Sequence, residues 1–330
     1  DRHNYAYVFY GDTFFDTVKD PKWSNMGHEM IAFTHYYIVE NGESFYLHAG
    51  ESVPIENYEV PRVRHNYKET SDDKADWDRL MNAIAEGISS DEMTKVVSSR
   101  EVEFTSETPY NVASILANLV DNNPNCFIFG YEKDGRTFVG ASPEILVRHR
   151  GSEILSYALA GTAPKDGPNA WTKEQLLTNT KNIVEHNIVR DRIVNTMKQI
   201  TPDVTVGETG IMELSHLYHL RTIITAKDST KSLVEWAKLL HPTPALGGEP
   251  REKALALLQE YESHERGMYA APFGFMKDMG DGIVVVAIRS ALIMDNVLYA
   301  YAGCGVVADS DADEEYAETN NKMRTILDAL

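Results

Sequence analysis

Gly282-Ile-Val-Val-Val-Ala-Ile-Arg289-Ser-Ala-Leu-Ile-Met294, Asp295-Asn296, Val297-Leu-Tyr-Ala-Tyr-Ala-Gly303 is two apolar, β-branched and aromatic runs split by a two-residue turn signal. The pattern predicts a hairpin in which Gly282–Met294 and Val297–Gly303 run antiparallel. The same grammar repeats outward from it. Residues 34–39 and 44–48 flank Asn41-Gly42, and Cys126–Glu132, Thr137–Arg148 and Glu153–Ala160 form a meander punctuated by Asp134-Gly135 and Arg150-Gly151. Lys95–Phe104 reads as a further strand. Helices fall in between. One starts near Lys74, capped by Asp72 and Asp73, with Trp77, Leu80, Met81 and Ile84 inward. Others cover Pro109–Asp121 with Thr108 as cap, Thr172–Ile200, Ser232–Leu240, Pro250–Glu262 and the C-terminus. Hairpins dominate, so the expected class is α+β, with antiparallel sheets covered by helices rather than a doubly wound parallel sheet.

The chain has 330 residues, 43% hydrophobic and 25% charged, enough for a large packed core. No apolar run approaches the roughly 20 residues that span a bilayer. There is no signal peptide, and the first residue is Asp, so an N-terminal portion is expected to be missing. The two cysteines, Cys126 and Cys304, make no disulfide framework and fit a reducing cytoplasm. A net charge of −19 argues against a nucleic-acid partner, because no basic stripe can displace phosphate counterions. It also means that any anionic substrate needs local cations or a metal to reverse the sign at its site.

The C-terminal segment Glu315-Tyr-Ala-Glu318-Thr-Asn-Asn-Lys322 puts two carboxylates and an ammonium on one helical face. Beside the glycine-rich Gly303-Cys304-Gly305, that face suits a hard cation plus an anion, or else a solvated Glu–Lys pair. Glu185 sits at the edge of an apolar helical stripe with Ile188 and Val189. It needs either a basic partner or a cation shared with the C-terminal carboxylates. Lys95 begins an apolar strand; such a lysine is an edge residue facing water or, if buried, a candidate general base. Glu144 interrupts the apolar run of Val139, Ile145, Leu146 and Val147, where burial would raise a carboxyl pKa and suit a general acid. Arg289 ends the run Ile283–Ile288, as a carboxylate clamp or a structural salt bridge. Leu159-Ala-Gly161-Thr162-Ala-Pro-Lys165 and His241-Pro-Thr-Pro-Ala245-Leu246-Gly-Gly248 are loops of small residues that admit a ligand close to the backbone. No Walker loop, dinucleotide fingerprint or zinc spacing is present. His216, His219 and His264 read as packing residues.

Taken together these segments resemble the chorismate-utilising enzyme family, the anthranilate synthase component I-like enzymes, which includes anthranilate, aminodeoxychorismate, isochorismate and salicylate synthases. The matching pieces are Lys95-Val-Val-x-x-Arg100, Ala141-Ser-Pro-Glu144, Ala160-Gly-Thr162, Glu185-His186, His219-Leu-x-Thr222, His241-Pro-Thr-Pro-Ala-Leu246, Arg266-Gly-x-Tyr269, Ala287-Ile-Arg289, Gly303-Cys-Gly305 and Glu315-Tyr-x-Glu-Thr-x-x-Lys322. They stand in the family order across residues 95–322. The resemblance implies one large domain over residues 1–330, an α/β sandwich of two antiparallel sheets packed face to face and flanked by helices. It implies Mg²⁺ held by Glu185 and Glu318 with Glu315 nearby, binding the ring carboxylate of chorismate. Arg289, Tyr269, Lys322 and the Gly303–Gly305 backbone would hold the other carboxylate, with Gly161, Thr162, His241, Ala245 and Leu246 also against the substrate.

Within the family, Lys95 matches the lysine that activates water, and Ala160 stands where aminodeoxychorismate synthases carry a nucleophilic lysine. The resemblance is therefore nearest to isochorismate synthase, with Lys95 as general base for water attack at C2 and Glu144 as general acid for the departing C4 hydroxyl. The alternatives are a salicylate synthase, which goes on to eliminate pyruvate, and a chorismate-binding module without turnover. His241-Pro-Thr-Pro-Ala-Leu246 looks more like the isochorismate synthases than the salicylate formers. Water as nucleophile implies no glutamine amidotransferase subunit. A monomer is expected, and the product would serve menaquinone or siderophore synthesis.

Overall fold

The Asp295-Asn296 turn forms, with Asp295 in the left-handed region at φ 58°, and joins Ser290–Met294 to Val297–Val306 antiparallel. The computed structural model describes residues 7–56, 58–277 and 280–330. The expected hairpin at Asn41-Gly42 is also there, pairing His35–Glu40 with Glu43–His48. It stands as a separate two-stranded sheet outside the two main ones.

One main sheet has nine strands, in the order Val204–Val206, Leu217–Lys227, Glu153–Pro164, Ile145–Arg150, Gly282–Val286, Pro272–Lys277, Tyr7–Gly11 and Glu29–Ala32, with Gly210–Glu213 also on Leu217–Lys227. The other has seven: Gly248–Glu249, Lys95–Ser106, Val297–Val306, Ser290–Met294, Arg136–Ser142 and Phe127–Lys133, with Tyr67–Glu69 also on Lys95–Ser106. The inner faces meet in one core. Phe129, Phe138, Leu292 and Tyr301 of the smaller sheet pack with Phe273 and Val285 of the larger. The rings of Phe129 and Phe273 lie 4.5 Å apart. Helices cover the outer faces. Ile115 and Leu119 of Val112–Asn122, and Met323 and Ile326 of Ala312–Leu327, pack on the smaller sheet. Val189 and Ile193 of Thr180–Lys198, with Trp236 of Leu233–Leu240, close the larger. No helix among the described residues is long and apolar enough to cross a membrane.

Several expected elements end or break elsewhere, for identifiable reasons. Gly282–Met294 is not one strand: Gly282–Val286 belongs to the larger sheet, Ser290–Met294 to the smaller, and the chain crosses at Ala287–Arg289, where Arg289 takes φ 54°. Thr137–Arg148 breaks likewise at Pro143-Glu144, because proline cannot donate to a ladder. The two crossings lace together. Val286 N–H donates to Glu144 O (3.1 Å), Ala141 N–H to Arg289 O (3.0 Å) and the Ser142 hydroxyl to Val286 O (2.6 Å). The long helix at 172–200 is interrupted at Asn179, whose side chain caps Thr180–Lys198 by accepting from Asn182 N. The helix expected at Pro109 starts at Val112 because Asn111, not Thr108, takes the cap. Trp77, Leu80, Met81 and Ile84 are buried as expected on Lys74–Ser89, but the Asp73 carboxylate serves Arg100 and Tyr316 instead of capping that helix. Leu217–Lys227 and Pro272–Lys277 are strands that the sequence reading left unassigned.

Candidate active site

Lys95 opens its strand with the side chain turned inward and fully buried. Its Nζ lies 3.0 Å from Glu185 Oε1, as an ion pair without hydrogen-bond geometry. The approach depends on Gly305, which lies opposite Val97 on the neighbouring strand. A Cβ at Gly305 would overlap Glu185 Oε1 and lie 2.7 Å from Lys95 Cε. Gly303 has the same character: a Cβ there would meet Ser98 O at 2.5 Å and the Tyr269 hydroxyl at 2.8 Å.

This strand edge forms one wall of a cavity between the two sheets. Glu144 and Arg289 enter it from the two chain crossings, Thr162 and His219 from the larger sheet, Glu185 from its helix and Lys322 from the C-terminal helix. Ala245, Leu246, Tyr269, Gly303 and Gly305 complete the sequence-predicted lining. Gly161 lies just behind, at φ 83° in the register shift between Leu159 and Thr162, where Asn182 Oδ1 accepts from Thr162 N at 2.9 Å. His241 is not in the lining. Its ring packs edge-on against Phe14 and its Nε2 meets Phe14 O at 3.1 Å.

Glu144 is almost completely buried, and burial pushes its carboxyl up to about 8 against the opposing pull of Lys95, Arg289 and Lys322. It can therefore hold a proton near neutrality. Burial also lowers the Arg289 pKa, yet the guanidinium keeps one hydrogen bond inside the protein, from Nη2 to His219 Nε2 at 2.7 Å. Arg289 Nη1 is buried and without a partner among the described residues. A guanidinium only donates, so His219 Nε2 must accept and the ring proton must sit on Nδ1, 3.1 Å from Thr162 Oγ1. Burial first, then the Arg289 charge, holds His219 well below its usual pKa and so neutral. His219 is thus part of the site and not mere packing. The available signal was a histidine at a buried position of a β-branched strand. Val97, Leu159, Ile288, Ala302 and Cys304 also line the cavity as apolar wall, and carry no polar signature that a sequence could reveal.

The three candidate cation ligands lie on two helices. Each is paired with its own lysine: Glu185 with Lys95, Glu315 with Lys181 at 2.5 Å, and Glu318 with Lys322 at 2.6 Å. Lys322 also donates to Gly303 O at 2.7 Å. Burial and then the neighbouring Glu318 charge push the Glu315 carboxyl up to about 7. Burial would raise Glu318 too, but Lys322, Lys181 and Arg289 together outweigh it and leave that carboxyl below its usual range. Among the described residues no three His, Cys, Asp or Glu side chains converge as a closed metal-ligand set. The donor chemistry of these mutually repelling carboxylates nonetheless fits a hard divalent cation.

Residues 47–330 match the family model described as chorismate binding enzyme. The chain is 36% identical over 264 residues to isochorismate synthase MenF of Bacillus subtilis strain 168, covering 78% of this chain and 56% of that protein. It is 37% identical over 208 residues to the salicylate biosynthesis isochorismate synthase of Pseudomonas aeruginosa, covering 62% of this chain and 44% of that one. The chain therefore spans about half the length of these curated relatives. Its fold superposes on that of MenF, the menaquinone-specific isochorismate synthase from Escherichia coli, with a TM-score of 0.80, 24% identity and coverage of 98% of this chain and 79% of that one. With the match running over the cavity walls, both crossings and the C-terminal helix, this chain belongs to the chorismate binding enzyme family.

Proposed function

We propose that this chain is an isochorismate synthase, interconverting chorismate and isochorismate. The observation that carries the reading is a pair of buried ionisable groups at one cavity: Glu144, holding its proton up to about 8, lines it, and Lys95 lies fully buried just behind the wall, 3.0 Å from the lining carboxylate of Glu185. Attack at C2 needs a base and departure from C4 needs an acid, on the same bound ring. Lys95 takes a proton from water as the oxygen–C2 bond forms. The ring double bond shifts, the C4–oxygen bond breaks, and Glu144 gives its proton to the departing hydroxide, which leaves as water. Proton return from Lys95 to Glu144 resets the site. Arg289, whose Nη1 has no partner among the described residues, Tyr269 and Lys322 bind the side-chain carboxylate. Glu185 and Glu318, with Glu315 beside them, would hold Mg²⁺, which would supply positive charge to the ring carboxylate and withdraw electron density from the ring. Water as nucleophile removes the need for an ammonia-delivering partner, and we assign none. The single domain over residues 1–330, of which residues 1–6, 57, 278 and 279 lie outside the described residues, is part of the same reading, as are the monomeric state and the cytoplasmic location.

The test is incubation of the purified chain with chorismate and MgCl₂, followed by chromatography and fluorescence. Isochorismate in equilibrium with chorismate, without pyruvate, is the expected result. Salicylate with pyruvate would transfer the assignment to a salicylate synthase, and binding without turnover would make the chain a chorismate-binding module.

A further inference from the structure

Lys181 occupies the first turn of the helix Thr180–Lys198, where the helix dipole disfavours a cation. It precedes Glu185 by four residues, the weaker order for such a pair. Neither local term explains a lysine here. The explanation lies across the gap, on the C-terminal helix, where Lys181 Nζ meets Glu315 Oε1 at 2.5 Å. Burial works against this ammonium, but the charges of Glu315, Glu318 and Glu185 together overcome it and raise its pKa above the ordinary value. One lysine therefore lies in the field of all three carboxylates assigned above to a cation.

The other two lysines of the cluster are fixed. Lys95 is fully buried, and Lys322 is anchored to the Gly303 carbonyl. Lys181 keeps 25% of its side chain exposed, so it can swing outward without unpacking the core. Glu315, only 2% exposed, cannot follow it. Once Lys181 leaves, a buried carboxylate needs another positive charge in the same place.

We propose that Lys181 is the exchangeable counter-ion of this cluster, holding Glu315 in the metal-free protein and leaving toward solvent when a divalent cation enters. The inference rests on the assignment of Glu185, Glu318 and Glu315 as cation ligands. It has a sign that a ligand-supporting role would not have. A resident ammonium competes with the metal, so removing it should tighten metal binding.

The experiment is calorimetric titration of MgCl₂ into the metal-free protein without chorismate, with the melting temperature read alongside. Lys181→Met is expected to bind Mg²⁺ on the order of tenfold more tightly than wild type, the effect of deleting one nearby positive charge. Its metal-free form should melt lower and regain most of the difference with Mg²⁺. Lys181→Arg keeps the charge and should stay within about twofold of wild type in affinity. Equal or weaker binding by Lys181→Met overturns the proposal. Should that variant not fold, Lys181→Gln is read in its place with the same expectations. In wild type, Mg²⁺ should increase acylation of Lys181 as read by mass spectrometry, and protection of Lys181 by Mg²⁺ overturns the exchange. If wild type takes up no Mg²⁺, the ligand assignment fails and the exchange with it. Uptake by wild type with unaltered variants removes the exchange alone.

Discussion

Glu144 is where residue chemistry and position act together most clearly. A carboxyl with an ordinary value of 4.5 is pushed up to about 8 by burial. Between those values the folded protein binds a proton that the unfolded chain does not, so stability should fall as pH rises through the interval. Glu144→Gln should flatten that slope between about pH 5 and pH 8 in denaturant melts. An unchanged slope would mean that the carboxyl is already ionised at neutrality. The same substitution should cost about 10²–10⁴ in turnover, since amide nitrogen cannot deliver the proton. In wild type, turnover should decline as pH rises past about 8 and the acid is lost. Lys95→Ala should abolish water addition while chorismate binding by calorimetry persists; retention of a tenth of the rate would remove Lys95 as the base. Glu318→Gln should leave folding intact and shift the Mg²⁺ titration of activity to higher concentration, because one hard oxygen donor is lost. An unmoved titration would take Glu318 off the ligand set.

Two strand breaks and two glycines decide how the elements present these residues. Gly305 leaves no room for a methyl beside the Lys95–Glu185 contact. Gly305→Ala should therefore part base and carboxylate and lower turnover at least as strongly as a single side-chain change nearby. Its melting temperature should move little, because the strand pairing of Val297–Val306 with Lys95–Ser106 is unaffected. A fully active Gly305→Ala would show that the contact is not needed. These close approaches also explain what could be read in advance. Turn dipeptides and period-2 runs marked the hairpins, because their causes are local: left-handed φ at Asn41, Gly42 and Asp295. The sheet change at Arg289 has no local cause in an unbroken apolar run, since both sheets want the same residues. Pro143 did mark the other crossing, but as a break in a strand rather than a passage between sheets. Lys95, Glu144 and Arg289 stood out as charges in apolar runs. Burial converts that oddity into chemistry. His219 is legible only as part of a motif and otherwise reads as packing, because its role depends on Arg289, a neighbour 70 residues away. Arg100 was legible only as part of a motif. Its fork to Asp73, its bonds to Thr319 and Asn320 and its stacking over Tyr316 tie the Lys95 strand to the C-terminal helix, contacts that exist only after folding.

The molecule as a whole carries a net charge of −19, while the proposed substrate is a dianion. On that reading the protein repels its substrate at long range, while Arg289 and Lys322, which line the cavity, would attract it at short range. These two fields respond differently to salt. The long-range field comes from solvated surface carboxylates and fades once the screening length drops from roughly 30 Å at about 0.01 M to roughly 8 Å at about 0.15 M ionic strength. The cavity field comes from groups such as Arg289, buried and close to the ligand, and is screened much less. With Mg²⁺ held constant and saturating, kcat/KM for chorismate should therefore rise as KCl is added over that range. That is the reverse of the usual electrostatically steered enzyme, whose rate falls with salt. The effect should sit in KM, with kcat unchanged, because encounter is affected and the buried chemistry is not. A monotonic fall of kcat/KM from the lowest salt would mean that the cavity cations reach past the acidic surface, and that the entrance, unlike the molecule, is positive.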